Sequence, residues 1–255
     1  MAQGCVLALD QGGHASRAML FDQNGRLLGQ AERRIGTHRF GSARVEHSPT
    51  ALPRSLQQAA AAAIAALPRG IEIHTAALAT QRSSIACWDR ISGKALSPVI
   101  SWQDRRAGAR VASLSDEAAW VEDLTGLKLS PHYGATKLAW CLRHLPAVRK
   151  AQRAGRLAAG PVASYIVAVL LEGRPCLADP VNGGRTQLMD IRRGGWSEEL
   201  CGLFGVPWEI LPVAVPNRYP FGELQIAGRR IPLTVVTGDQ PAALFAEGEP
   251  RADTA

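Results

Sequence analysis

Apolar residues fall first into short runs and only later at helical spacing. Residues 4–9 (GCVLAL) form a run that ends in Asp10 and the Gly12-Gly13 pair. A second run covers 17–22 and a third 27–34, with Asn24-Gly25 between them. Asn-Gly between two strand-like runs is a hairpin signal, because both residues tolerate the positive φ of a tight turn. The pattern predicts a three-stranded antiparallel meander with Asp10 at its first turn. Ser48-Pro49 then predicts a helix start, with serine as cap and proline at the first helical position, where an N–H has no partner anyway. Leu52, Leu56, Ala60, Ile64 and Leu67 keep the spacing of one helix face.

Residues 75–80 and 85–89 read as strands, Ser92-Gly93 as a turn, and 99–102 as a further strand. From 104 to 145 the spacing is mainly helical, punctuated by Gly126 and Pro131, with 135–145 amphipathic. Residues 161–171 and 196–204 read as helices, the second stopped by Gly205 and Pro207. A last strand over 229–237 runs into Gly238-Asp239-Gln240 and a helix start. With no internal repeat and no linker, the expectation is one mixed α/β domain.

Composition narrows this. The 255 residues are 46% hydrophobic and 20% charged, enough to bury a sizeable core. The net charge is +7, a balance that can serve nucleic acid or a phosphorylated ligand. The densest basic stretch, 143–156, holds four Arg and one Lys but no aromatic residue on which a base could stack. It reads as a solvated helix and loop, so no nucleic-acid partner is expected. Cys5, Cys87, Cys141, Cys176 and Cys201 lie far apart without a CxxC pair, which excludes a disulfide framework or zinc site and favours a reducing compartment. No stretch reaches the ~20 apolar residues of a membrane span, and no basic leader precedes the first strand. A cytoplasmic chain without a membrane partner is expected.

The chemistry lies in an ordered series of strings. Asp10 to Arg17 (DQGGHASR) is followed by Phe21-Asp22. Val45-Glu46-His47 precedes the Ala-rich helix. Thr80-Gln81-Arg82 comes with Trp88-Asp89, then Ser101 to Arg106 (SWQDRR). Thr125-Gly126-Leu127, Ala135-Thr136-Lys137-Leu138, and Asp179-Pro180 with Arg185-Thr186 come next. Thr237 to Gln240 (TGDQ) with Ala242 to Phe245 (AALF) closes the series. Any one string is weak. In this order, over about residues 6–246, they resemble the N-terminal, substrate-binding half of the FGGY carbohydrate kinase family, closest in motif to its glycerol kinase members.

The resemblance implies an actin-like, ribonuclease H-like kinase lobe over residues 1–246, with a mixed sheet that opens in the antiparallel meander and is flanked by helices. Residues 247–255 would be a polar tail. The family's second lobe, with most of the adenine and ribose pocket, would lie outside this chain and be supplied by a partner. The expected partners are such a second lobe or further copies of this chain in a homo-oligomer. The implied reaction is ATP-dependent, Mg2+-assisted phosphorylation of a sugar or polyol hydroxyl. The competing expectation is a non-catalytic carbohydrate-binding lobe. A third, an activator ATPase or acetate-kinase-like relative, is disfavoured by the WQDRR and TGDQ strings.

Residue by residue, Asp239 matches the family's catalytic carboxylate, which takes the acceptor's proton; a helix cap is its other role. Arg82 matches the family arginine whose fork of donors grips polyol hydroxyls, and Gln240, next to Asp239, can donate to or accept from a substrate hydroxyl. Trp102 matches a tryptophan that packs on the carbon face of the polyol, unless it is a core residue. Asp10 matches the carboxylate that holds Mg2+ through water, or is a turn aspartate. Gly12 and Gly13 would let backbone amides approach phosphate. Arg17 would add a charge-assisted contact there or decorate a strand. His14 and Gly13 stand where the glycerol-type hairpin carries two threonines; His14 is either a substitute donor or a surface residue. Ser83 stands at the family's acidic partner for glycerol, and His132 at its tyrosine. These changes weaken glycerol as the substrate more than they weaken kinase chemistry.

Overall fold

The computed structural model describes residues 4–68 and 70–248. The chain opens with β1 (Gly4–Gln11), β2 (Ala15–Asp22) and β3 (Leu27–Arg34), paired antiparallel in sequence as the meander pattern predicts. Short strands β4 (His38–Phe40) and β5 (Arg44–His47) lead to α1 (Ala51–Ala65). The regular helix begins at Ala51, with Thr50 at its cap position and no side-chain cap. Ser48 and Pro49 therefore form the turn before it rather than its cap and first residue, and Ser48 Oγ accepts from the Ala51 N–H at 3.3 Å within that turn.

Next come β6 (Glu72–Thr80), β7 (Ile85–Asp89) and β8 (Val99–Ile100). The expected helical stretch 104–145 is a broken series: α2 (Gly108–Ala112), α3 (Ala118–Thr125) and α4 (Gly134–His144). Gly126, with φ of 66°, ends α3 in the left-handed conformation that favours glycine. The basic stretch 143–156 spans the last two residues of α4, then α5 (Pro146–Arg153) and the loop after it. Then follow β9 (Leu157–Pro161), α6 (Val162–Leu170), β10 (Leu177–Ala178) and α7 (Pro180–Gly184). After these come β11 (Met189–Asp190), β12 (Gly195–Trp196), α8 (Glu198–Phe204) and β13 (Val213–Ala214). The described chain closes with β14 (Arg218–Ile226), β15 (Arg229–Gly238) and the one-turn α9 (Asp239–Ala243). The helix expected from 196 begins two residues later, because Trp196 pairs with Met189 in a short hairpin. Most of the expected polar tail, from residue 249 onward, lies outside the described residues.

Among the described residues the larger sheet has six strands in the order β14-β15-β6-β1-β2-β3. Its central three, β15, β6 and β1, are mutually parallel. A second, antiparallel sheet runs β4-β5-β8-β7-β9. On the larger sheet α1 lays Leu52, Leu56, Ala59, Ala60 and Ala63 against β1 and β2, where Leu7, Leu9, Ala18 and Leu20 are buried. The small alanines let helix and sheet approach closely. A second core gathers Ile85 and Ile100 with Leu138, Cys141, Val148 and Leu200 from α4, α5 and α8. Among the described residues no helix is long and apolar enough to cross a membrane.

Candidate functional site

The three parallel strands end together. Gln11 pairs with Thr80, and Thr80 with Gly238, on one rung across β1, β6 and β15. The residues just past this rung therefore meet at the carboxyl edge of the sheet, where open α/β sheets place their ligands. A cavity of about 210 Å3 lies there. Its walls bring together Gly13, His14, Arg82, Trp102, His132, Asp239 and Gln240, all expected from the sequence, with Gln81 and Arg185, which were not.

A buried amide network fixes the wall. Gln81 donates to Gln11 Oε1 at 3.2 Å and to the Gly12 carbonyl at 3.3 Å. Gln81 Oε1 accepts from Ser84 Oγ at 2.9 Å, and Ser84 Oγ accepts from the Trp102 N–H at 3.0 Å. The β1–β2 turn and the Trp102 backbone are thus tied through one glutamine. In the turn itself the Gly12 N–H is spent on the Ala15 carbonyl at 2.9 Å. Gly12 closes the hairpin, and Gly13 is the glycine that faces the cavity.

At the next strand end, Arg82 runs between Gly238 and the cavity. Its Nε lies 3.8 Å from Asp239 Oδ1, and its guanidinium donates to Gln240 Oε1. Burial and the nearby charge of Arg185 lower the Arg82 pKa, while Asp239 opposes this. Gly238 caps α9 and Asp239 is its first residue, with Oδ1 accepting from the Gln240 N–H at 2.8 Å. The carboxylate is two-fifths exposed. The cap role therefore falls to Gly238.

Ser83 lies outside the lining. It is buried, adopts φ of 61°, and its hydroxyl has no partner among the described residues. A non-glycine residue in that region is uncommon, and the turn is held from below by Lys137. This fully buried ammonium donates to the carbonyls of Ser83 (3.1 Å), Ser101 (2.9 Å) and His132 (2.6 Å). Burial lowers its pKa to about 7. One side chain thereby anchors the segments that carry Arg82, Trp102 and His132.

His132 faces Trp102 with ring centroids 5.7 Å apart. Burial, followed by the charges of Lys137 and Arg185, lowers its pKa to about 4. The neutral ring can accept from Arg185 Nη2, which lies 3.4 Å from His132 Nε2. Arg185 is positioned by α7, whose cap Asp179 is buried. Asp179 accepts from the Asn182 N–H and Asn182 Nδ2, each at 2.9 Å, and from Asn217 Nδ2 at 3.3 Å. Asn182 Oδ1 in turn accepts from Thr80 Oγ1 at 3.2 Å, which bolts α7 to the end of β6.

Asp10 and Arg17 sit behind the hairpin, outside the lining. Arg17 pairs with Asp10 at 3.1 Å and Glu32 at 2.7 Å. Burial raises the Asp10 pKa, the contact with Arg17 lowers it, and the charge of Asp239 raises it further. Two carboxylates thus approach the same strand-end edge. The assembly offers guanidinium and amide groups for hydroxyls, an indole face for carbon, and a half-exposed carboxylate that can accept a proton.

The N-terminal domain of the FGGY family of carbohydrate kinases matches residues 5–246. This chain belongs to the FGGY family. The glycerol kinase of Cereibacter sphaeroides is 37% identical over 242 residues, which is 93% of this chain and 49% of that protein. The glycerol kinase of Rhodospirillum rubrum is 38% identical over 248 residues, 95% of this chain and 50% of that protein. Among solved structures, a Plasmodium falciparum glycerol kinase with ADP superposes with a TM-score of 0.90 at 23% identity, over 96% of this chain and 50% of that one. A xylulose kinase from R. rubrum gives 0.87 at 21%, over 97% and 51%. The fold is that of an actin-like FGGY kinase lobe. The chain spans about half the length of the FGGY relatives it matches.

Proposed function

We propose that this chain is the acceptor-binding lobe of an ATP-dependent carbohydrate kinase, residues 1–246 forming the domain and a second lobe completing the nucleotide site. The observation that carries the reading is the convergence of Arg82, Trp102, Asp239 and Gln240 on one cavity at the carboxyl ends of three parallel strands. In this reading the acceptor's carbon face lies on Trp102, and its hydroxyls on Arg82 and Gln240. Asp239 receives the proton of the attacking hydroxyl as the hydroxyl oxygen bonds the terminal phosphorus of ATP and the bond from that phosphorus to the bridging oxygen breaks, with ADP as the leaving group. General-base help of this kind is worth roughly two to four orders of magnitude in rate. Gly13 and His14 line the side from which phosphate would enter, and Gly12 shapes that turn. Arg17 acts on Asp10 more than on phosphate, since both its ion pairs are internal.

The residues fit a hydrated Mg2+. Asp10 and Asp239 repel each other near one edge, and magnesium takes one or two carboxylates while keeping several waters. When bound, the ion would neutralise charge developing on the phosphates. Five free cysteines are in keeping with a cytoplasmic, reducing site of action.

ADP release over a panel of polyols, ketoses and sugar acids, with ATP, magnesium and a second lobe added, tests the reading. Asp239→Asn should abolish turnover and leave acceptor affinity within about threefold. Full turnover by that variant would remove Asp239 as the base. Acceptor binding without ADP release under any of these conditions would leave a carbohydrate-binding lobe.

A further inference from the structure

The cavity holds more positive than negative charge. Arg82 and Arg185 both line it, close enough for Arg185 to disfavour the charge on Arg82. Asp239 is the one carboxylate in the lining among the described residues, and it lies against Arg82. Arg185 makes no ion pair among the described residues. Its Nε is buried without a partner. Its Nη2 meets only the His132 ring nitrogen, at 3.4 Å, and its guanidinium lies 4.8 Å from the centre of the Tyr133 ring. Arg185 as a whole is half-buried, and a partly desolvated guanidinium without a counter-charge is left electrostatically unmatched. Neutral His132 supplies a lone pair and no charge. The planar fork suits a carboxylate, with two parallel N–H donors for two oxygens.

The position of Arg185 bears on whose anion this is. Gly13 of the hairpin lies beside the Trp102 indole, Trp102 faces His132, and His132 touches Arg185. Two rings therefore stand between the hairpin and this guanidinium, which places it at the acceptor's end of the cavity. A neutral polyol would offer hydroxyls there and leave the charge unmatched.

We propose that the acceptor of this cavity is a polyhydroxylated carboxylate, a sugar acid, with its carboxylate seated on Arg185 and its hydroxyls on Arg82 and Gln240. The proposal rests on the kinase-lobe reading above for the polyhydroxylated part of the molecule. Calorimetric titration of the full chain with matched pairs tests it: glycerol against glycerate, and xylitol against xylonate, at fixed salt. The acid of each pair should bind about tenfold tighter or more, as a charge-assisted bidentate contact implies. Arg185→Gln should bring that ratio to within about twofold, and Arg185→Lys should keep part of it. Equal binding within the wild-type pairs overturns the proposal while the kinase-lobe reading stands. So does a ratio that survives in Arg185→Gln, since the arginine would then act only on the structure. If inorganic phosphate binds wild type but not Arg185→Gln, and the pairs bind alike, the seat belongs to the transferred phosphoryl group and the proposal fails. Binding of neither member of any pair overturns both readings. The wild-type ratio decides the matter even where Arg185→Gln does not fold.

Discussion

Gly238 lies so close to Arg82 that a β-carbon at residue 238 would sit 2.5 Å from Arg82 Cδ and 3.0 Å from Val181 Cγ1. The backbone there is ordinary, with φ of −92°, so the glycine is required by space rather than by conformation. Gly238→Ala should push Arg82 off its line to Asp239 and Gln240. Overpacking of this kind costs about 1–3 kcal/mol. The expected result is a modest loss of stability by denaturant unfolding, with acceptor affinity down about tenfold or more. Unchanged affinity would mean that Arg82 does not grip the acceptor.

Lys137 should give the fold a pH dependence at alkaline values. Burial lowers its folded pKa to about 7 against 10.5 when unfolded. Between those values the unfolded chain holds a proton that the folded chain lacks, so stability rises with pH. Below about 7 both states are charged and the contribution is level. Wild type should gain roughly 1–2 kcal/mol over Lys137→Met between pH 7.5 and 9. Urea titrations of both proteins at the two pH values measure the difference.

His132 should stay neutral through the physiological range. Its folded pKa of about 4 lies below the ordinary 6.5. As pH falls from 6.5 towards 4 the unfolded chain takes up a proton that the folded ring refuses, and stability falls. Above 6.5 the contribution is flat. An NMR titration should place the His132 midpoint near 4, and His132→Gln should flatten the acid limb of stability.

Asp179→Ala should be the most damaging change outside the cavity. It removes a helix cap and leaves two buried donors of Asn182 without an acceptor, while Asn217 Nδ2 keeps only its bond to the Val236 carbonyl. The cost should be roughly 2–4 kcal/mol, measurable by thermal or denaturant unfolding. Loss of acceptor binding should accompany it, because α7 carries Arg185.

How much of this could be read from the chain depended on whether a signal was local. The meander, α1, β6 and β15 carry their own punctuation, and the strings at their ends named most of the cavity wall. Residues 157–161 (LAAGP) lack β-branched residues and become β9 only by pairing with β7. Residues 218–226 contain Pro220 and Gly222, which argue against a strand. They are tolerated because β14 is the sheet's edge and is irregular between Arg218 and Gly222. Ser83 matched a binding position in the strings, yet its side chain turns into the protein, since the left-handed turn is set by Lys137 from another segment. Arg185 sat in view beside Thr186, but only the docking of α7 on β6 brings it to the cavity. The string Arg185-Thr186 marked the family but assigned the arginine no place in the site.

The common rung of Gln11, Thr80 and Gly238 has a consequence for how such a protein can change. The strands end on one line, and the groups that would choose the acceptor stand one to three residues beyond it or on separate loops. On the proposed kinase-lobe reading, acceptor preference should be redrawn by exchanging the residues at 82, 132 and 185 while the sheet beneath is left intact. Diversification of ligand choice and retention of the scaffold become separable problems, which makes this edge the natural place to begin a directed-evolution library.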